Sequence, residues 1–226
     1  MNEGQVKKYA VIVAGGKGSR MGSQEPKQFI EIGGLPVLMH TIKQFYLADA
    51  STDLIVVLPQ QQIARWAQLV EQHSFGIPHR VTSGGATRFQ SVKKGLRLAH
   101  GHALVAIHDG VRPFTGTQTI NAAFAMAAAK GSAVVAISLK DSIREITKAG
   151  SVAKVRSNYR LVQTPQVFNL KLLKEACETE EKPFFTDDAS VYEYAGHMVY
   201  LVDGHPENIK ITTPEDLLIA ETLLKK

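Results

Sequence analysis

The chain has 226 residues, of which 44% are hydrophobic and 21% charged, and a formal net charge of +5. This composition is that of an ordinary soluble globule, and the length favours one α/β domain spanning residues 1–226. The basic residues stand singly, which argues against a nucleic-acid partner. A polar amino terminus without a signal peptide, no membrane-length apolar run and a single cysteine, Cys177, which cannot form an intrachain disulfide, predict a cytoplasmic protein.

The first predicted element is a buried strand that leads into a glycine-rich basic loop. Residues 9–13 are apolar and β-branched, a pattern typical of a parallel strand buried on both faces. Glycines follow at positions 15, 16, 18 and 22, and three cations lie among or after them: Lys17, Arg20 and Lys27. Because glycine has no Cβ, its backbone N–H can approach an anion closely, and fixed positive charge stabilises a bound triphosphate. The loop therefore predicts nucleotide binding.

Two common glycine motifs are absent from this loop. Met21 stands where GxxxxGK[ST] requires its second glycine, which excludes a P-loop. A GxGxxG motif read from Gly16 lacks its third glycine, and Pro26 interrupts the place where a Rossmann helix should begin. A nucleotide-dependent oxidoreductase is thus disfavoured, and it is kept as the alternative from a different class of enzyme.

The next elements alternate between helix and strand. We predict, in chain order, a helix after Pro36, a strand at 54–59, a helix at 60–73 with Trp66 and Leu69 facing inward, a weak strand at 80–82 and a helix within SGGATRFQSVKKGLRLA. The glycine pair Gly84 and Gly85 before this last helix is either a plain turn or a second close approach to a ligand, with Ser91 able to donate a hydrogen bond.

A polar cluster follows the next buried strand, ALVAI at 103–107. In open α/β sheets, ligands lie beyond the carboxyl ends of the strands, so this is where chemistry is expected. Asp109 offers hard oxygen ligands suited to Mg²⁺, and the planar fork of Arg112 suits a phosphate. A surface ion pair between Asp109 and Arg112 is the alternative interpretation.

The alternation continues with a helix at 117–130 and a strand at 134–137, which predicts a doubly wound, mostly parallel, Rossmann-like sheet. From residue 140 the pattern changes, because two short alternating strands flank Lys148-Ala149-Gly150 as in a β-hairpin. This hairpin has too little to bury to be stable alone. We expect an arm at about 140–158 that packs on a second subunit in a homodimer, or else a solvent-exposed flap.

The carboxyl-terminal third returns to the body of the domain. We predict strands at 161–168, 198–204 and 208–212, and helices in NLKLLKEACE, in TDDASVYEYAG and after Pro214. Thr186 is the predicted N-cap of the second of these helices, with Asp187 and Asp188 in its first turn. Lys210 alternates with two isoleucines, which predicts a solvated lysine on an edge strand.

GGKGSRMG followed by PKQF resembles the signature of sugar-phosphate nucleotidylyltransferases, and among them the cytidylyltransferases that make 4-diphosphocytidyl-2-C-methyl-D-erythritol in non-mevalonate isoprenoid biosynthesis. The resemblance continues, in order, through HDGVRPF (108–114), TPQVF (164–168), TDDAS (186–190) and ENIKITTPEDL (207–217). It implies transfer of CMP from CTP to 2-C-methyl-D-erythritol 4-phosphate with release of pyrophosphate. Within the same class, D-ribitol 5-phosphate or another pentitol phosphate is the alternative acceptor.

The resemblance also implies roles for individual residues. Arg20 and Lys27 are implied to stabilise the transition state. CTP binding falls to Ala14, Gly15, Gly16, Gly18, Gly84, Gly85, Ser91 and Asp109, with Mg²⁺ as the divalent metal near Asp109. Binding of the sugar phosphate falls to Arg112, Ser142, Arg156, Thr164, Thr186 and Lys210. Arg156, with Arg160 as the alternative, would reach the partner subunit's site. Two departures from the family pattern are Ala86, where an acidic residue is frequent, and Ser142, where threonine is usual.

Overall fold

A computed structural model describes residues 6–16 and 25–225 of the chain, and its centre is a seven-stranded sheet. The strands of the described residues are β1 (Lys7–Val13), β2 (Glu31–Ile32), β3 (Leu35–Pro36), β4 (Asp53–Leu58), β5 (Arg80–Ser83), β6 (Ala103–Asp109), β7 (Ser132–Ser138), β8 (Ile143–Thr147), β9 (Gly150–Lys154), β10 (Arg160–Asn169) and β11 (Leu201–Asp203). The helices are α1 (Val37–Ala48), α2 (Ile63–Gln72), α3 (Arg88–Leu96), α4 (Thr117–Lys130), α5 (Leu170–Ala176), α6 (Asp188–Tyr194) and α7 (Pro214–Leu223), with 3₁₀ turns at Gln60–Gln62 and Arg156–Asn158.

The strand order of the main sheet is β11-β7-β10-β6-β1-β4-β5. Neighbouring strands are parallel except around β10, which runs antiparallel to both β6 and β7. Val13 lies opposite Val57 on one side and Asp109 on the other, so β1, β4 and β6 end at the same edge. The prediction of a mostly parallel α/β sheet is therefore confirmed.

Helices cover both faces of this sheet because successive strand side chains point to opposite sides. In β1, Ala10 and Ile12 pack with the apolar residues of α1, α2 and α4. Tyr9 and Val11 pack with those of α3, α5 and α6, and the buried Cys177 belongs to this second cluster. Such complete burial of both faces explains the continuous apolar runs in the sequence. None of the helices in the described ranges is long and apolar enough to cross a membrane.

Helix α3 lies unusually close to the sheet. A Cβ built on Gly95 would come within 2.5 Å of a Val11 methyl group and 2.9 Å of a Val57 methyl group. Glycine is therefore required for this packing distance. Thr87 caps α3 by accepting a hydrogen bond from the Gln90 N–H at 3.2 Å. Together, cap and packing fix the amino-terminal end of α3 beside the end of β1.

In the carboxyl-terminal third, one strand prediction was wrong and another was too long. Residues 208–212 form no strand, and of the predicted 198–204 only Leu201–Asp203 do. The segment is held by isolated bonds in place of a ladder: the Ile211 N–H donates to the Val111 carbonyl at 2.9 Å, and the Asn208 side chain donates to the Thr164 carbonyl at 2.9 Å. The alternation of apolar residues in this segment therefore does not indicate a strand, because individual residues are held separately by these hydrogen bonds.

The N-cap of α6 also differs from the prediction. Asp187, and not Thr186, caps the helix: its carboxylate accepts from the Ser190 N–H at 2.9 Å, and the Ser190 hydroxyl accepts from the Asp187 N–H at 3.3 Å. This reciprocal capping box needs a side chain that can accept a hydrogen bond three residues after the cap. TDDAS provides one, Ser190, for Asp187 but only Ala189 for Thr186. The prediction that Thr213 caps α7, with Pro214 at the first position, is confirmed.

The predicted hairpin is present. Strands β8 and β9 pair antiparallel, with Thr147 opposite Gly150 and Lys148 and Ala149 in the turn, and they form a sheet of their own. Most of its side chains are exposed, Ile146 to 82%. The hairpin therefore has almost no core within its own chain.

Candidate active site

Two adjoining pockets lie at the edge where β1 and β6 end. The first, of about 210 Å³, borders the end of β1, and we call it the β1 pocket. The second, of about 260 Å³, borders β10 and is called the β10 pocket. Arg88, Asp109 and Lys210 line both. A ligand in one pocket would therefore meet a ligand in the other at these three side chains.

The β1 pocket contains most of the residues predicted to bind the nucleotide. Its wall includes Ala14, Gly15, Gly16, Lys27, Gly85, Ser91 and Asp109. Gly84 lies just behind it, with its carbonyl accepting a hydrogen bond from the Lys94 ammonium at 2.8 Å. The predicted residues Gly18 and Arg20 lie outside the described residues.

Ser91 orders the turn that precedes α3. Its hydroxyl oxygen accepts from the Gly85 N–H at 3.1 Å, and the hydroxyl donates to the Thr87 carbonyl at 2.8 Å. The Ala86 N–H donates to the Gln90 side-chain carbonyl at 3.1 Å. The turn is thus held rigid by side chains of the helix that it introduces.

Lys27 reaches the β1 pocket from the turn after the glycine-rich loop. It is buried, and its ammonium donates to the Ile211 carbonyl at 3.3 Å. A Cβ on Gly16 would lie 3.3 Å from the Lys27 Cε, so the small residue allows the two segments to approach. The Gln28 side chain donates to the Ala14 carbonyl at 2.8 Å and fastens this turn to the end of β1.

Asp109, the last residue of β6, is surrounded by three cations. Its Oδ2 lies 3.0 Å from the Lys210 ammonium and 3.2 Å from Arg112 Nε, and its Oδ1 lies 3.6 Å from Arg88 Nε. Burial by itself would raise the pKa of this carboxyl, but Arg88, Lys210 and Arg112 together hold the pKa well below its usual range. Asp109 is therefore ionised at every physiological pH.

These contacts correct two expectations. The pair between Asp109 and Arg112 is not a surface ion pair, because their side chains are only 10% and 12% exposed. Lys210 does not lie on an edge strand, because its segment forms no strand, and its 41% exposed side chain places its ammonium against the buried Asp109. Asn208, which is distant in sequence, helps to enclose the pair of Asp109 and Arg112, because its carbonyl accepts from Arg112 Nη1.

A buried hydrogen-bond chain connects Asp109 to the β10 pocket. The Thr164 hydroxyl oxygen accepts from the Asp109 N–H at 3.1 Å, and it lies 3.0 Å from His108 Nδ1. The Arg112 carbonyl, 3.2 Å from His108 Nε2, can only accept, so the proton of a neutral His108 is on Nε2 and Nδ1 accepts from the Thr164 hydroxyl. Burial lowers the pKa of His108 to about 4. The imidazole is therefore neutral and fully engaged.

Asn208, which the sequence reasoning did not single out, joins this network. Its amide group donates to Gln163 Oε1 at 3.1 Å and to the Thr164 carbonyl, and its side-chain oxygen accepts from the Thr115 hydroxyl at 3.1 Å. Its backbone carbonyl accepts from Arg112 Nη1 at 2.8 Å. Arg112 is thereby fixed on two sides.

Arg88 was also missed. Its Nη2 lies 2.7 Å from Oδ2 of Asp188, which is buried at the start of α6. The clue in the sequence was a cation three residues after a glycine pair, at the first position of a helix, where the helix dipole disfavours positive charge.

The remaining predicted acceptor residues divide into two groups. Thr164 and Thr186 line the β10 pocket with Arg112 and Lys210. Ser142 and Arg156 lie on the exposed hairpin arm and line neither pocket. Arg156 donates to the Lys140 carbonyl, and the alternative Arg160 donates to the Ser157 and Tyr159 carbonyls. The structure of one chain therefore does not bring the arm residues to its own pockets.

The side chains around Asp109 offer few ligands for the predicted metal. The described residues contain no group of three or more histidine, cysteine or acidic side chains that could hold an ion unaided. Mg²⁺ in nucleotide sites is usually bound by one or two carboxylates together with phosphates and waters. Asp109 fits this limited role, because the cation nearest to its Oδ1 is 3.6 Å away.

Gly15, Gly16 and Lys27 lie at the carboxyl edge of a mostly parallel sheet, beside two pockets that share Arg88 and Lys210. This arrangement is typical of the class of proteins that bind nucleotide phosphates for group transfer. A family model described as IspD, 2-C-methyl-D-erythritol 4-phosphate cytidylyltransferase, matches residues 8–226. The chain therefore belongs to this family of nucleotidyltransferases, and the alternative of an oxidoreductase is excluded.

Individual relatives agree with this assignment. The chain is 52% identical to the 2-C-methyl-D-erythritol 4-phosphate cytidylyltransferase of Bacteroides fragilis, over 95% of this chain and 98% of the relative. It is 40% identical to that of Bacillus licheniformis, over 95% and 94%. Among solved structures, the 4-diphosphocytidyl-2C-methyl-D-erythritol synthase of Anaerococcus prevotii superposes with a TM-score of 0.83 at 28% identity, covering 98% of this chain and 97% of that one. The Thermus thermophilus cytidylyltransferase gives 0.78 at 29% identity, covering 98% and 100%.

Proposed function

We propose that this protein transfers CMP from CTP to 2-C-methyl-D-erythritol 4-phosphate, releasing pyrophosphate, in non-mevalonate isoprenoid biosynthesis. The observation that carries the proposal is the wall common to the two pockets, formed by Arg88, Asp109 and Lys210. CTP in the β1 pocket and the acceptor phosphate in the β10 pocket would meet there. Family membership supplies the identities of donor and acceptor.

The chemistry requires charge stabilisation and no general base. An oxygen of the acceptor phosphate, already ionised at neutral pH, attacks the α-phosphorus of CTP. The bond from that phosphorus to the bridging oxygen breaks, and pyrophosphate leaves with the electron pair. Bringing two polyanions together is the main obstacle, which fixed cations reduce. We assign His108 no proton transfer, because it is fully buried and both of its ring nitrogens are bonded within the protein.

In the β1 pocket, we assign the triphosphate to the amides of Gly15 and Gly16 and to Lys27, with Gly18 and Arg20 completing the loop. Lys27 and Arg20 would stabilise the pentacoordinate phosphorus and the leaving pyrophosphate. Ala14, Gly84, Gly85 and Ser91 would enclose the cytidine. Because the Ala86 N–H already donates to Gln90, we assign the backbone carbonyls of Gly85 and Ala86 as acceptors for the exocyclic amino group.

In the β10 pocket, we assign the acceptor phosphate to Arg112, Thr186 and Lys210. Asp109 and the Asn208 carbonyl hold the Arg112 guanidinium in place, so it is oriented before the substrate arrives. Since the Thr164 hydroxyl already bonds Asp109 and His108, its role would be chiefly to position Asp109. Mg²⁺ held by Asp109 and the triphosphate would neutralise further phosphate charge.

The chain is proposed to act as a homodimer through its arm. Residues 140–158 contain five cations and two carboxylates, a net charge of +3 out of the +5 of the whole chain. In the β10 pocket, by contrast, the three cations face Asp109 and Asp188 at ion-pair distance. An arm from a second chain would add the positive charge that a dianionic acceptor needs. Ser142 and Arg156 would then act in the partner's site.

The deciding experiment measures pyrophosphate release with CTP and Mg²⁺, with 2-C-methyl-D-erythritol 4-phosphate and D-ribitol 5-phosphate as acceptors under identical conditions. We expect strong preference for the first. Preference for the second would assign the same chemistry to a pentitol phosphate. No release with either acceptor, in a preparation that is folded by circular dichroism, would contradict the proposal.

A further inference from the structure

Arg88 occupies the position in the site where the reacting groups must meet. Only Arg88, Asp109 and Lys210 belong to the walls of both pockets within the described ranges. Asp109 is an anion and Lys210 already lies 3.0 Å from it. Among the described residues, Arg88 is therefore the arginine whose guanidinium borders both pockets.

Two carboxylates fix the orientation of the Arg88 guanidinium. Nη2 lies 2.7 Å from Asp188 Oδ2, and Nε lies 3.6 Å from Asp109 Oδ1. Asp188 is itself immobilised, because its N–H and that of Ala189 both donate to the Gln166 side-chain oxygen, at 3.1 and 2.9 Å. Nη1 has no partner among the residues the structure describes, and the side chain keeps 31% of its surface exposed to the cleft.

The local helix gives no reason for an arginine at this place. Arg88 is the first residue of α3, where the partial positive charge of the helix disfavours a cation. Its partner Asp188 is 100 residues away in sequence, so the pair joins two helices across the cleft. A planar guanidinium with one edge anchored and the other open is well suited to a phosphate oxygen.

We propose that Arg88 is a further catalytic residue, which donates from Nη1 to a non-bridging oxygen of the α-phosphate of CTP while the acceptor oxygen attacks. The bond changes are those of the transfer itself: one phosphorus–oxygen bond forms, one breaks, and pyrophosphate leaves. Arg88 gains and loses no proton. This inference rests on the proposed function of the site, which it extends by one residue.

The test compares four proteins in the pyrophosphate-release assay: wild type, Arg88→Lys, the double variant Arg88→Ala with Asp188→Asn, and Lys93→Met. Arg88→Lys keeps the charge and loses the fork. The double variant also removes the buried carboxylate that Arg88→Ala alone would leave unpaired. Lys93 is a matched cation on the same helix, which donates to the Cys177 carbonyl and Glu178 away from both pockets.

We expect kcat and kcat/KM to fall together by at least about tenfold in Arg88→Lys and about 10²-fold in the double variant, as for a contact made in the transition state. Lys93→Met should keep the wild-type kcat. Thermal unfolding of each variant, followed by circular dichroism, reports any structural effect separately.

A double variant with kcat within about twofold of wild type would overturn the inference and leave Arg88 a structural role only. A lowered kcat in the double variant at an unfolding temperature close to wild type would support it. Failure of the proposed function is recognised separately, because the wild type itself would then release no pyrophosphate with either acceptor.

Discussion

The edge of the central sheet buries polar side chains, whereas the hairpin arm exposes apolar ones. At the sheet edge, the charged and polar side chains of Asp109, Thr164 and Asn208 are buried and bonded in a connected network. On the arm, Ile146 is 82% and Val155 67% exposed. These polar groups at the sheet edge are therefore satisfied by contacts within one chain, whereas the arm exposes apolar side chains in the way typical of an interaction surface.

The largest effect is expected at the sheet edge, from Lys27. Replacing it with methionine removes the charge but preserves the apolar stem, and should lower kcat by about 10²-fold or more, because a fixed cation stabilises the leaving pyrophosphate. Steady-state kinetics measure this effect, with the exposed Lys43→Met on α1 as a matched control. A wild-type kcat in Lys27→Met would show that Lys27 does not stabilise the transition state, and that the sheet edge is less important for catalysis than we propose.

The arm should affect activity through assembly. Ile146→Asp places a charge in the proposed interface, and we expect sedimentation to show monomers and the KM for the acceptor to rise by about tenfold or more, because a rim of partner cations is lost. Thr147→Ser, on the same strand, is the matched control. A monomeric variant with unchanged KM would show that one chain is sufficient, contrary to the proposed dimeric site.

Complementation tests whether Arg156 acts in the partner's site. If it does, a heterodimer of Arg156→Ala and Lys210→Ala chains has one intact site. Random reassociation of equal amounts should then restore about a quarter of the wild-type activity. No recovery on mixing, with heterodimers demonstrated by differently tagged chains, would place Arg156 in the site of its own chain.

The two regions also differ in how much the sequence revealed. Strands such as β6 were predictable, because continuous β-branched runs are diagnostic of burial on both faces, and parallel strands end together. This is why Asp109 and Lys27 could be expected at one edge before any coordinates were known. The hairpin was equally visible from its turn residues.

What escaped prediction depends on contacts between distant segments. The pair of Arg88 with Asp188 joins residues 100 positions apart, and no local pattern encodes such a pairing. Residues 208–212 have the alternating pattern of a strand, yet no strand forms there. Asn208 is instead held in the interior by side-chain hydrogen bonds, and a pattern of hydrophobic residues carries no information about such bonds. The roles of Ser142 and Arg156 depend on a second chain and remain proposals.

We expect the stability of the fold to decrease at acid pH because of the buried His108. Its pKa is lowered to about 4 by burial, while the unfolded chain takes up a proton near the ordinary value of about 6.5. The stability that neutral His108 contributes is therefore complete above pH 6.5 and is lost as the pH falls towards 4, by about 2 kcal/mol at pH 5. Urea unfolding of His108→Asn should show a shallower loss between pH 7 and 5 than wild type, with the exposed His102→Asn as control. Equal slopes would mean that His108 accepts a proton in the native state.

The smallest effect is expected from the ion pair between Glu145 and Lys154 on the arm. Both side chains are substantially exposed, at 55% and 33%, so water and salt screen their attraction and holding two long side chains costs entropy. Glu145→Gln should therefore change the free energy of unfolding by less than about 0.5 kcal/mol. Asp188→Asn, which breaks the pair with Arg88 at the sheet edge, is the contrasting variant and should cost several times more, because it leaves a guanidinium without its buried partner. Denaturant titration of both variants measures the difference. Equal losses in the free energy of unfolding would show that the buried ion pair at the sheet edge stabilises the fold no more than the exposed pair on the arm. A large loss in Glu145→Gln alone would indicate that contacts with a second chain already order the arm.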